Sequence, residues 1–146
     1  MSRETKRYEC ANINDTDECV IRLLNRINAN SVVLLNGDVG TGKTYICSQI
    51  ASHFGIKDFV SSSFQRVNQY TGNVNIIHCD FYRSQCEYEF FLQEIDPLLH
   101  DPWILLIEWF NLNYEIIECD QIFEITLKHG GGSNRLIEIT EINLLL

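Results

Sequence analysis

"SVVLLNGDVGTGKTYICSQI", residues 31–50, opens with a short β-branched and leucine-rich run that is apolar on both faces, then breaks into glycines. A short run without a polar face is what a strand in the middle of a covered sheet needs. Beyond the glycines, Ile46, Cys47, Ile50, Ala51 and Phe54 recur at helical spacing and Gly55 supplies a stop. A buried strand, a glycine turn and an amphipathic helix therefore follow one another without a gap.

The turn, Gly37-Asp38-Val39-Gly40-Thr41-Gly42-Lys43-Thr44, fits G-x-x-x-x-G-K-[ST] in the context that gives the pattern meaning. Lacking Cβ atoms, its glycines let successive backbone N–H groups converge on phosphate oxygens, and the helix N-terminus adds partial positive charge. Lys43 supplies a point cation for the β and γ phosphates. The Thr44 hydroxyl has the reach to hold a Mg2+ bridging them. The fold expected from this start is α/β, a P-loop NTPase-like three-layer arrangement with a mixed central sheet and antiparallel hairpins.

Such a site needs a carboxylate at the tip of a neighbouring strand. Glu108 follows four aliphatic residues in "WILLIEW", and Asp80 ends the apolar run in "IIHCDFYR". Either could instead be a structural acid paired with an arginine such as Arg83. No N-K-x-D guanine reader is present, so adenine is the expected base. Downstream of the turn only Arg66, Arg83 and Arg135 are available to close over a phosphoryl acceptor, which favours hydrolysis over transfer.

Outward from this centre, residues 6–13 are expected to form an edge strand, and Asp15 to cap a helix running to about Asn28, with Glu18 as its capping-box partner. Residues 64–70 and 74–79 flank "TGN" as a hairpin; a helix is expected over 84–94 and a buried strand over 103–109. The segment 121–142 reads as two alternating strands around "GGGSN". That glycine run lacks a following lysine and helix, so it is a hairpin tip rather than a second phosphate loop.

The chain's 146 residues suit a single ATPase domain over 1–146. No apolar run approaches a membrane span, and the charged start "MSRETKRYEC" lacks a secretory core, so a soluble, cytoplasmic chain without membrane contact is expected. Six cysteines without a C-x-x-C pair read as buried free thiols. A net charge of -9 opposes independent binding to a polyanion, so any nucleic acid must be presented by a partner.

The order of motifs resembles the TsaE (YjeE) family, small P-loop ATPases that act in making threonylcarbamoyladenosine at position 37 of tRNAs reading codons that begin with adenine. "GDVGTGKT", "SSSFQRVNQY", "HCDFYR" and "IEWF" stand in the family's order and at similar intervals across nearly the whole chain. The resemblance implies that Val39, Gly40, Thr41, Gly42, Lys43 and Thr44 bind the ATP phosphates, Thr44 and Glu108 serve the Mg2+, and Asp80 orients or deprotonates the attacking water. Lys43, Asp80 and Glu108 would then be the catalytic set. Thr16, in "TDECVIRLL", matches the helix start that lines the family's adenine pocket. TsaB-like and TsaD-like proteins are the implied partners, with tRNA met only through that complex.

Two departures stand out: the family's S-P-T is Ser61-Ser62-Ser63, and the proline after Glu-Trp is Phe110. The leading expectation is an ATPase that is slow alone, because no arginine finger compensates the transition-state charge. A small-molecule or nucleoside kinase on the same turn, and an interaction module shaped by ATP without hydrolysis, are the alternatives.

Overall fold

The computed structural model describes residues 1–38, 40–60, 66–82, 85–110 and 113–144. Strands β1 (Ser2–Cys10), β2 (Ser31–Gly37), β3 (Val67–Thr71), β4 (Asn75–Asp80), β5 (Trp103–Glu108), β6 (Gln121–His129) and β7 (Arg135–Asn143) form one sheet in the order β1-β7-β6-β2-β5-β4-β3. Three parallel pairings, β2 with β5, β2 with β6 and β4 with β5, make the centre. Antiparallel pairings, β3 with β4, β6 with β7 and β1 with β7, make the flanks. The mixed sheet with antiparallel hairpins is thus the one expected.

Alternation within β2 explains the layers. Val33 and Leu35 face a core built with α1 (Ile13–Leu24) and α2 (Lys43–His53), through Val20, Leu23, Ile46, Cys47 and Ile50. Val32 and Leu34 face the opposite core, with Phe81, Phe91 and Ile95. All five residues from Ser31 to Leu35 are at most 5% exposed, which is why the strand carries no polar face.

Several boundaries differ from expectation. The first strand runs Ser2–Cys10, not 6–13, because it pairs in register with the whole of β7, from Ser2 opposite Asn143 to Cys10 opposite Arg135. Asn12, not Asp15, caps α1: its backbone is extended and its Oδ1 accepts the Asp15 N–H at 3.0 Å. Asp15 Oδ2 in turn accepts the Ala11 N–H at 2.9 Å, so Asp15 is the returning partner of the capping interaction, the place expected for Glu18. The helix ends at Leu24, and a tight turn in which Arg26 and Ile27 donate to the Leu23 carbonyl carries Ile27 into the core.

The helix expected over 84–94 is a single α turn, Tyr88–Phe90, continued by a π turn, Phe91–Ile95, and a 3-10 turn, Asp96–Leu98. Phe91 and Ile95 are both driven into the core, and Pro97 sits in the last turn, where its missing N–H removes nothing. The strand expected over 103–109 stops at Glu108, because Trp109 adopts a left-handed φ of 62°. Residues 61–65 and 83–84, which carry the serine run, the first part of the expected β3 hairpin arm, Arg83 and the start of the expected helix, lie outside the described residues.

Candidate nucleotide and metal site

The carboxyl ends of β2, β4 and β5 lie side by side, with Leu35 in register with Glu108 and Glu108 with Asp80. Both candidate carboxylates therefore emerge on adjacent strands, directly beside the strand that feeds the glycine turn. In parallel α/β sheets ligands settle at this edge.

Gly40, Gly42, Lys43, Thr44, Asp80, Glu108 and Trp109 line one open cleft there, together with Tyr45 and Tyr82. Gly40 and Gly42 hold φ values of 82° and 107°, which glycine adopts without a Cβ penalty. Val39 lies outside the described residues. Thr41 is fully buried and its hydroxyl donates to the Asp38 carbonyl at 2.6 Å, so its side chain braces the loop from within and does not face the cleft.

Lys43 is 6% exposed and donates to the Gly37 carbonyl at 2.5 Å and the Asp38 carbonyl at 3.0 Å. An ammonium has three donors, so one remains for a ligand. Its Nζ stands 4.5 Å from the centroid of the Trp109 ring. Burial lowers the lysine pKa, against the raising influence of Glu108, Asp80 and Asp38. Trp109 is held by its backbone N–H, which donates to the Leu35 carbonyl at 3.1 Å, and its ring lies against Tyr82 at 5.2 Å between centroids. The left-handed backbone aims this ring over the lysine, a role the motif match alone did not assign.

Glu108 is 2% exposed and divides its oxygens. Oε1 accepts from the Thr44 hydroxyl at 3.3 Å, and Oε2 meets His78 Nε2 at 2.6 Å. A hydroxyl and a carboxylate within one contact are hard oxygen donors, the chemistry Mg2+ selects. The residues present therefore fit that ion. Asp80 is half-buried at the cleft edge, and its Oδ1 accepts the Tyr82 N–H at 3.0 Å. Among the described residues its Oδ2 accepts no hydrogen bond.

Thr16 does not join this cleft. It is 2% exposed, and the groove it lines is shared with Cys10, Ala11, Asn12, Ile13, Ser133 and Arg135. Arg135 links the two sites: a Cβ placed on Gly42 would come within 2.8 Å of Arg135 Nη1, so the guanidinium packs against the first turn of α2. Among the described residues it has no carboxylate partner. The sequence showed Arg135 as available but not where it pointed. His78 was visible only as part of a motif.

The family model for the threonylcarbamoyl adenosine biosynthesis protein TsaE matches residues 10–137. The chain is 34% identical to the tRNA threonylcarbamoyladenosine biosynthesis protein TsaE of Rickettsia typhi, over 82% of this chain and 83% of that protein. It is 34% identical to the protein of the same name from Borreliella burgdorferi, over 74% of this chain and 80% of that one. A crystal structure of Bacillus subtilis YdiB superposes with a TM-score of 0.72 at 22% identity, covering 98% of this chain and 89% of that one, and shares its fold. Matched by that model over most of its length, the chain belongs to the TsaE family.

Proposed function

We propose that this chain is the ATP-binding and slowly ATP-hydrolysing subunit of a cytoplasmic assembly that forms the threonylcarbamoyl group on N6 of adenosine 37 in tRNAs reading codons that begin with adenine. The family membership supports the pathway. The Thr44–Glu108 contact at the mouth of the glycine turn, beside Lys43 and in register with Asp80, carries the reading of the site.

In this reading the backbone of the turn and Lys43 hold the β and γ phosphates, and Thr44 with Glu108 holds Mg2+. When bound, that ion neutralises charge on the phosphates. Asp80 orients a water for attack on the γ phosphorus and takes its proton on Oδ2, while the bond to the bridging oxygen of ADP breaks. Arg135, packed on Gly42, adds a second cation on the side of the groove that holds Thr16, where the adenosine end would lie. TsaB-like and TsaD-like partners complete the assembly, and tRNA is met through them, in keeping with a net charge of -9.

ATP binding and turnover, measured alone and with the partner proteins, test this. Lys43→Ala should abolish binding, and Asp80→Ala should keep binding while losing turnover. Wild-type behaviour in Lys43→Ala would overturn the site. Full tRNA modification by Asp80→Ala would show that hydrolysis is not its purpose.

A further inference from the structure

We propose that Cys47, His78 and Glu108 form an inhibitory site for a thiophilic divalent transition metal, Zn2+ foremost, directly beneath the phosphate cradle. Cys47 lies one turn beyond Thr44 on α2, on the side packed against the sheet, and is fully buried. His78 and Glu108 rise from the neighbouring strands β4 and β5 and are 1% and 2% exposed. One ligand atom from each of the three lies within 4.8 Å of the others.

Zinc takes sulfur and nitrogen ligands at about 2.0–2.3 Å in a tetrahedron, which places them about 3.5 Å apart. From separations of at most 4.8 Å, the three atoms need to close by roughly an ångström to reach that spacing. A thiolate and a carboxylate neutralise a divalent cation, and imidazole adds a neutral third ligand. The loaded site thus leaves no net charge buried. Loading releases one proton, from Cys47 Sγ, to solvent. The proton on His78 Nε2 moves to Nδ1, an atom that has no hydrogen-bond partner among the described residues, and frees Nε2 for the metal.

Ligand softness decides which ion occupies which set. Thiolate and imidazole favour Zn2+, whereas Mg2+ prefers the hydroxyl and carboxylate oxygens of Thr44 and Glu108. Glu108 belongs to both sets, so the two ions compete for the charge and orientation of one carboxylate. The same residue lines the open cleft, which gives the metal its entry and leaves its fourth position facing water or a phosphate oxygen. Inhibition rests on the ATPase reading above; binding of the metal does not.

Co2+ serves as the optical probe, since a thiolate ligand gives it an intense charge-transfer band. The full-length chain should develop that band at one equivalent and lose it to one equivalent of Zn2+. Cys47→Val and Cys47→Ala, each checked for a cooperative thermal transition, should lack it although five cysteines remain. With Mg2+ and ATP in excess, Zn2+ should lower turnover at least tenfold in wild type and less than twofold in Cys47→Val. A missing band, or one that persists in the folded Cys47 variants, overturns the site. Equal inhibition of wild type and Cys47→Val overturns its inhibitory role. A chain that shows the band but turns over no ATP under any condition refutes the ATPase reading and leaves the metal site standing.

Discussion

The imidazole of His78 and the carboxylate of Glu108 meet at 2.6 Å, with both side chains at most 3% exposed. A buried carboxylate without a donor carries an unpaid desolvation cost, and here the donor also fixes which oxygen turns toward Thr44. His78→Ala should therefore raise the Mg2+ concentration needed for half-maximal turnover by about 10- to 100-fold, the usual toll of removing an outer partner of a metal ligand. His78→Gln, which keeps a donor, should recover part of the loss. Nucleotide binding without Mg2+, followed by calorimetry, should change little in either variant; a large loss there would mean that His78 supports the loop as a whole.

The glycine turn separates two kinds of glycine. A Cβ on Gly37 would stand 2.4 Å from the Leu127 carbonyl oxygen, a backbone atom of β6 that cannot move aside. On Gly40 a Cβ would meet none of the described residues within 4 Å, so among them only its φ of 82° resists substitution. Gly40→Ala should cost about 1–2 kcal/mol. Gly37→Ala should cost more, since it forces the β2–β6 pairing apart. Urea melts of both variants check the order, and a Gly37→Ala as stable as Gly40→Ala would refute it.

The central sheet and the cleft at the carboxyl ends of its strands were legible because each rests on local pattern. Val32 to Leu35 are apolar on both faces since both faces are covered, and Asp80 and Glu108 end apolar runs since both strands end at the cleft. Residues whose roles depend on what other segments bring to them were not legible. Arg135 opens a strand 93 positions after Gly42 yet packs on it, and no periodicity records that. The Asn12 cap and the π turn at Phe91–Ile95 were missed for a related reason: each is a choice between near-equal local options that tertiary burial decides.

Five of the six cysteines are buried and Cys119 is half-buried. Burial pushes its thiol up to about 11, with Asp120 adding to the rise. A raised thiol stays protonated at neutral pH, and the reactive thiolate grows as pH climbs toward that value. Iodoacetamide at pH 7.5 should modify the folded chain slowly, reach Cys119 first, and accelerate about tenfold per pH unit up to pH 9.5. Peptide mapping gives the site. Fast labelling of Cys10 or Cys19 at neutral pH would contradict the closed core around α1.

Arg135 offers a sharp test of where the nucleotide runs. Its guanidinium lies against Gly42, on the side of the turn toward Thr16 where the adenosine end lies in the proposed pose, and among the described residues no carboxylate holds it. A charge-assisted contact is worth about 1.5–3 kcal/mol, so Arg135→Ala should weaken ATP and ADP alike by roughly 10- to 100-fold. Equal losses would follow because the γ phosphate, the one group ADP lacks, belongs to Lys43 and Thr44. Arg135→Lys should retain part of the affinity, with a steeper loss as salt rises than in wild type, since an ammonium cannot make the bidentate contact. Thermal stability should hold in both variants, because no ion pair with a described residue is broken. A loss confined to ATP would move Arg135 to the γ phosphate and reverse the orientation of the bound nucleotide, taking the adenosine end away from Thr16.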